Sequence, residues 1–513
     1  MNNNVQILND MEKCTGCGAC KNICPCNAIE MKEGFRTFFY PIIDNIKCIH
    51  CLQCKKVCPV LNVQKNNDNN PLIIAAQAKD EVRKKSSSGG MYPLFAKKII
   101  KEKNGTVFCT KLDENFNAVF CEITDLEDVH KGSDSKYVQS DTRYIYREIQ
   151  NKLKNDKIVL FIGCPCQVAG LKNFLRKDYY NLYTIDLLCH GVPSPRMLKD
   201  YIKEKAEEGA IVNVKFRDKS IGWRADVIST YWKNGTVTRY FMKNNDEYEL
   251  AFQYNLNLRS SCENCVFCEF PRVGDVSIGD FWHINEHIHV DILGTSLVFV
   301  NNEKGKELID IAREEMKMCQ ILPISKEKIK NRIWAYFPPK KEKKYFFELY
   351  PRKGFIIAVR EAMKEVIQKN DYQIKLNKED LEKKNKDKLS FTSIGDLGLG
   401  EGCSINEVIR RMPTNSTLCQ VQGNYNLPIA DTPVPYGVLT IVKTSDYFVQ
   451  IIFTRMTVGE IPEIYQAQWK DNRVVRWIRF ISDQEFFMFK EKTEKEIESL
   501  KKLIEEKKYK IFK

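Results

Sequence analysis

No stretch of this chain stays apolar for the roughly 18 residues that a membrane-spanning helix needs. Its opening residues, 1–10, are polar and lack the charged-then-apolar layout of a secretory signal, so the expected location is the cytoplasm and no membrane contact is expected. No solenoid-type repeat is visible, and no nucleic-acid-binding motif appears. The last absence matters because the chain is basic, with 80 Lys and Arg against 67 Asp and Glu and a net charge of +13. These cations are spread along the chain. That pattern fits a solvated surface, or the docking of an acidic partner protein, better than a nucleic-acid track.

What the chain does have is cysteine, 20 in 513 residues. Most fall in tight CxxC clusters, and without an export signal such clusters favour metal ligation over disulfides. Cys14, Cys17 and Cys20 form CxxCxxC followed by Cys24-Pro25; Cys48, Cys51 and Cys54 repeat the pattern before Cys58-Pro59. In such a loop three thiolates take three corners of a cubane, and the fourth cysteine serves the other cluster. Cluster one is therefore expected on Cys14, Cys17, Cys20 and Cys58, and cluster two on Cys48, Cys51, Cys54 and Cys24. Gly16 and Gly18 let the backbone approach inorganic sulfur closely. Zinc is the alternative, but it needs four ligands per site and no crossed Cys-Pro pattern. Cys26 is left over and reads as a free thiol. The two motifs make residues 1–62 a bacterial-type two-cluster ferredoxin module.

The length suggests two to four domains, and composition divides the rest. An Asn-rich stretch follows the ferredoxin module. Residues 72–338 alternate apolar runs with amphipathic helices, the rhythm of an α/β core; a strand is expected over 157–162 and a helix from 168 to 175. Residues 339–389 are lysine-rich and helix-forming, and are expected to be a basic helical linker. Residues 390–485 turn to Thr, Val and Ile broken by NLP, DTP and PYG turns, which suits a β-rich domain. Residues 486–513 close with an amphipathic helix. The expected class is thus multidomain, α+β with α/β.

Several segments of the α/β region carry candidate chemistry. Residues 85–91 (KSSSGGM) are a small-residue turn entering a helix, either an anion site at the helix N-terminus or a plain cap. Residues 135–140 (SKYVQS) join a cation, a ring and polar groups, suited to gripping a phosphate and a ring system, or to a surface turn. GCPCQ at 163–167 and DLLCHG at 186–191 each follow a strand, where open α/β sheets place ligands. Cys262, Cys265 and Cys268 form a further CxxCxxC ahead of DVSIGDFW at 275–282.

The phrases SSSGGMY, SKYVQSD, GCPCQVAGLKNFL, DLLCHGVPSP, FRDKSIGWR and SIGDFW, in this order behind the ferredoxin module, resemble the family of beta subunits of coenzyme F-420 hydrogenases and dehydrogenases. The resemblance covers about residues 1–340. It implies an oxidoreductase with FAD and one 4Fe–4S cluster in the core, in which electrons pass between iron–sulfur centres and a flavin that exchanges hydride with a deazaflavin or other acceptor. It implies core-cluster ligands Cys166, Cys189, Cys262 and Cys265, with Cys268 able to replace one of them and Cys164 in a packing role. The flavin contacts it implies are Ser88, Gly89, Gly90, Lys136, Tyr137, Gln139 and Gln167; no proton-transfer residue is implied. His283, His287 and His289 do not share one helix face and are expected not to ligate metal. Cys109, Cys121, Cys319, Cys403 and Cys419 are isolated and read as structural thiols.

Residues 390–485, through NLP, YGVLTIV, VQIIFTR and the pair Trp469 and Trp477, resemble knob modules of phage and pyocin tail fibres. That resemblance implies a glycan or oligomer contact, with the tryptophans either stacking on sugar or filling a core. Three functions follow from the whole. The first is a flavin- and iron–sulfur-dependent enzyme acting on a small acceptor. The second is an electron-transfer adaptor serving a redox partner protein. The third is a knob-led binding protein with redox clusters as its scaffold.

Overall fold

The computed structural model describes residues 6–64, 67, 70–206, 209–220, 222, 223, 227–241, 246–282, 293–323, 325, 329 and 341–370, and the backbones of strands between 390 and 480. Two compact units, 1–371 and 372–513, are described separately.

The first unit opens with the cysteine-dense module. Gly16 and Gly18 take left-handed backbone, φ +69° and +77°, which turns the first cysteine loop into helix α1 (Ala19–Ile23). A hairpin of β1 (Ile29–Glu33) and β2 (Phe39–Ile43) follows, register Met31 opposite Pro41. Helix α2 (Gln53–Lys56) carries Cys54.

Strand β3 (Leu72–Ala78) and helices α3 (Asp80–Lys84) and α4 (Met91–Lys103) lead into β4 (Thr106–Leu112) and its antiparallel partner β5 (Ala118–Ile123). Next come α5 (Ile145–Lys154), β6 (Val159–Gly163), α6 (Pro165–Leu175), β7 (Leu182–Leu187) and α7 (Pro195–Lys205). Strands β8 (Ile211–Lys215), β9 (Val227–Trp232) and β10 (Val237–Phe241) form a separate antiparallel sheet. Helix α8 (Glu247–Gln253), β11 (Val276–Asp280), β12 (Ser296–Val300), α9 (Glu303–Ala312) and β13 (Met316–Ile321) complete the core.

Its main sheet has eight strands in the order β13-β3-β12-β11-β7-β6-β4-β5. Strands β4, β6, β7 and β11 run parallel, flanked by antiparallel pairs on both sides. Strand β6 (VLFIG) is buried along its whole length, as a central parallel strand covered on both faces must be. The loops leaving β6 and β7 emerge at the carboxyl ends of adjacent parallel strands and deliver Cys164, Cys166 and Cys189 to one edge.

The expected linker is a correction. Helices α10 (Lys341–Lys353) and α11 (Phe355–Ala362) belong to the first compact unit. Their Phe346, Tyr350, Phe355, Ala358 and Val359 are buried in the cluster that also holds Tyr201, Tyr248 and Phe216. The physical reason is an apolar face at helical spacing, which has to be covered.

In the second unit, β14 (Ser390–Phe391), β15 (Ser416–Val421), β16 (Gly437–Ser445), β17 (Phe448–Arg455), β18 (Glu463–Lys470) and β19 (Arg473–Phe480) form one sheet in sequence order. It is antiparallel from β15 onward. Trp469 and Trp477 lie on β18 and β19 and Cys419 on β15, their side chains outside the described residues, as are Cys403, His283, His287, His289 and the expected C-terminal helix.

Candidate iron–sulfur site

Cys14, Cys17, Cys20 and Cys58 line one small, partly open cavity, walled by Ile7, Leu8, Met31 and Val60. Cys58 thus reaches the first loop from the end of the second motif. Backbone amides already turn toward thiols: Gly16 N–H donates to Cys14 Sγ at 3.4 Å and Ala28 N–H to Cys24 Sγ at 3.2 Å. In the second loop Cys54 is buried, Cys48 half-buried and Cys51 exposed. The spare Cys26 lies 3.7 Å from Cys24, sulfur to sulfur.

The core thiols converge from three loops. Cys164 caps α6, where its N–H donates to Gln167 Oε1 at 2.9 Å and Pro165 takes the first helical position. Its sulfur stands 3.8 Å from that of Cys189. Cys268 Sγ donates to Cys189 O at 3.5 Å. Burial pushes the Cys166 thiol well up, and the neighbouring thiols of Cys265, Cys17, Cys189 and Cys262 add to it. Cys262 rises to about 12, again through burial first. Cys265 moves the other way, to about 7, chiefly through a hydrogen bond with Cys268. Behind them Arg272 is buried and pairs with buried Asp186 at 2.5 Å while donating to Cys268 O at 2.6 Å. That pair ties the end of β7 to the third cysteine loop.

These residues fit iron–sulfur clusters. Cys14, Cys17, Cys20 and Cys58 line a shared cavity, and a cubane takes its four thiolates at separate corners. Amides are aimed at sulfur, as cluster loops require. The two thiol sets are also neighbours. Helix α1 packs on α6 where Gly170 leaves room: a Cβ there would sit 3.0 Å from Cys17 Sγ. Buried Tyr146 places its hydroxyl 2.9 Å from both Cys17 O and Gln167 O.

The expected flavin contacts divide into two groups. The turn at 86–90 is stitched to the 133–137 loop by Ser135 N–H donating to Ser87 Oγ at 2.7 Å. Gly89 lies against β3 and β12, where a Cβ would meet Ser296 N at 2.4 Å, and Ser88 Oγ lies 3.3 Å from Ser296 Oγ. Gly90 caps α4 in the left-handed region. Lys136 donates to the carbonyls of Lys131 and Asp134, and burial lowers its pKa. Tyr137 stacks on Phe252 at 4.2 Å. Gln139 and Gln167 are held on the cysteine side: Gln139 accepts from Arg259, and Gln167 donates to Ser140 Oγ at 2.8 Å.

In the sequence, FRDKSIGWR and SIGDFW carry a family resemblance without marking a role for any single residue. The structure brings them together. Trp223 stacks on Trp282 at 5.1 Å, Arg217 lies 4.6 Å over the Trp282 ring, and Trp223 Nε1 donates to Asp280 Oδ1 at 2.7 Å. Tyr137 feels the charges of Arg217 and Asp280. Two tryptophans and an Arg–Asp pair in separate motifs are the signal that could have found this wall. No helix among the described residues is long and apolar enough to cross a membrane.

Thiol sets of this kind on a ferredoxin-type module and an α/β sheet define an iron–sulfur, electron-transferring oxidoreductase. Residues 156–326 match the family model for the C terminus of the coenzyme F420 hydrogenase/dehydrogenase beta subunit, and residues 13–62 match a 4Fe-4S dicluster domain. A curated relative, one of the subunits of the F(420)H(2) dehydrogenase of Methanosarcina mazei, is 25% identical over 343 residues, spanning 60% of this chain and 84% of its own. Over these residues the chain is similar to coenzyme F420 hydrogenase/dehydrogenase beta subunits. A solved chain from the F420-reducing NiFe hydrogenase complex of Methanosarcina barkeri, studied with xenon derivatization, shares 16% identity. That match covers 60% of this chain and 91% of the solved one, with a TM-score of 0.36.

Proposed function

We propose that this chain is an iron–sulfur flavoprotein that relays electrons from cluster two through cluster one to a core cluster and FAD, for exchange with a deazaflavin-type or other organic acceptor or with a redox partner protein. The observation that carries the reading is the packing of Cys17, in the loop leading into α1, against α6, the helix that bears Cys166. Cluster one takes Cys14, Cys17, Cys20 and Cys58; cluster two takes Cys48, Cys51, Cys54 and Cys24, with exposed Cys51 at the side where electrons enter or leave. The core cluster takes Cys166, Cys189, Cys262 and Cys265, while Cys268 holds the loop through Cys189 O and Cys164 caps α6.

FAD, when bound, supplies the conversion between single electrons and a hydride. The chain's own contribution is to hold and shield that group. Ser88, Gly89, Gly90, Lys136 and Tyr137 are the proposed contacts, with Trp223 and Trp282 as an aromatic wall and Arg217 as a cation beside it. Gln139 and Gln167, whose amides are engaged on the cysteine side, form the partition between flavin and clusters. Anaerobic purification with assay of iron, sulfide and flavin tests the reading. About 12 irons, four per cubane, with bound FAD and reduction of an acceptor without a partner protein support it; about 8 irons, or no flavin after reconstitution, would remove the core cluster or the FAD from it.

A further inference from the structure

Arg259 belongs by backbone to one cysteine loop and by side chain to another. Its N–H donates to Val192 O at 3.0 Å, and its carbonyl accepts from Cys262 N–H at 2.9 Å, which fixes it in the core loop. Its side chain then crosses to the ferredoxin module. Nε donates to Cys14 O at 2.5 Å, Nη1 donates to Gln139 Oε1 at 3.1 Å, and the guanidinium lies 4.3 Å over the Tyr40 ring. The residue is 0% exposed. Gly16 lies alongside, where a Cβ would come within 3.3 Å of Nη1.

What this cation lacks is an anion. Among the described residues no carboxylate lies within ion-pair distance of it, and Nη2 has no acceptor. The other fully buried arginines are paired: Arg272 with Asp186 and Arg83 with Asp80. A buried guanidinium served only by neutral acceptors is costly unless negative charge stands near it. Thiolate-ligated cubanes carry net negative charge, and each gains one more negative charge on reduction.

We propose that Arg259 is a shared countercharge for cluster one and the core cluster, favouring the reduced form of each and coupling their potentials. This rests on the reading that Cys14, Cys17, Cys20 and Cys58, and the core thiols, each hold a cluster. A cation that stabilises the reduced state raises the midpoint potential. The effect is larger at cluster one, whose Cys14 loop the guanidinium bonds directly, than at the core cluster, reached through Cys262.

The test is a redox titration followed by paramagnetic resonance on the full-length, anaerobically reconstituted protein. Wild type must show both cluster signals; if it does not, the cluster reading itself fails, whatever Arg259 does. With both present, Arg259→Gln is expected to shift the cluster-one midpoint to more negative potential with a smaller shift at the core cluster, while Arg259→Lys restores most of the difference. Gln139→Glu supplies a carboxylate to Nη1 without removing the arginine, so it too is expected to move cluster one negative even if Arg259→Gln does not fold. Unmoved midpoints in a variant that holds full iron overturn the proposal, as does a lysine variant no closer to wild type than the glutamine one.

Discussion

At Gly170 the ferredoxin module and the α/β core come within one methyl group of each other. A Cβ there would meet Cys17 Sγ at 3.0 Å and the Tyr146 hydroxyl at 3.3 Å, so Gly170→Val is expected to pry α1 from α6. A stability loss of about 1–3 kcal/mol is expected, the usual cost of overpacking, read as a lower denaturation midpoint. Tyr146→Phe removes the hydroxyl that serves Cys17 O and Gln167 O. Cys17 O keeps Thr142 Oγ1 at 3.3 Å, so the loss is that of one buried hydrogen bond, about 0.5–1.5 kcal/mol, and unchanged stability in a denaturant titration would show that the hydroxyl contributes nothing. The ligand assignments divide cleanly by variant. Cys189→Ala should lose the core cluster and leave two ferredoxin signals. Cys58→Ala should damage cluster one although its motif adjoins the ligands of cluster two; a spectrum with cluster one intact would overturn the crossed pairing. The ferredoxin-type module was the most legible part, because CxxCxxC followed by Cys-Pro has few other meanings. Arg259 was not legible: nothing in its neighbours along the chain marks an arginine that will be buried without a carboxylate.

Among the elements, α10 and α11 differ most from their reading in the sequence. Eighty basic residues in the chain, many of them around 339–389, draw attention to charge and away from Phe346, Tyr350, Phe355, Ala358 and Val359. Phe346 and Tyr350, four apart on α10, and Phe355, Ala358 and Val359, three and four apart on α11, mark one buried face on each helix, and both were readable. Phe346 stacks on Tyr350 at 5.6 Å and meets Phe355 edge-on at 5.8 Å. Phe346→Ala is therefore expected to cost about 3–5 kcal/mol, measured by thermal or chemical unfolding. Helix α10 also steadies the third cysteine loop, since Lys343 donates to Leu258 O at 2.8 Å and pairs with Glu263. A chain ending near residue 340 should then lose both solubility and core iron, whereas one ending near residue 371, the edge of the first compact unit, should keep its iron. Equal iron in the two truncations would show that α10 is dispensable to the site. The α/β alternation itself was legible because β6 and β7 are short runs, the first leading into the buried helix α6 and the second followed by the amphipathic helix α7. The antiparallel strands β12, β3 and β13, which widen the sheet, carry no local mark of the order in which they pair.

For the whole molecule, the docking of α1 on α6 has a kinetic meaning. Under the proposed assignment, donor and acceptor inside the first unit meet through packed helices and buried hydrogen bonds, so their encounter needs no diffusion and no charge steering. Exchange with an external carrier is different: Cys51 is exposed, and the chain carries a net charge of +13. Attraction between a cationic surface and an acidic carrier weakens as salt screens it over about 10 Å at 0.1 M. Rapid-mixing measurements at rising ionic strength are expected to separate the two, with the bimolecular phase slowing for an acidic carrier while the later, concentration-independent phase holds its rate. An internal phase that slowed in step with the first would mean that the module leaves its seat on α6 during turnover, and that ferredoxin and core behave as a tethered pair of proteins and not as a single wire.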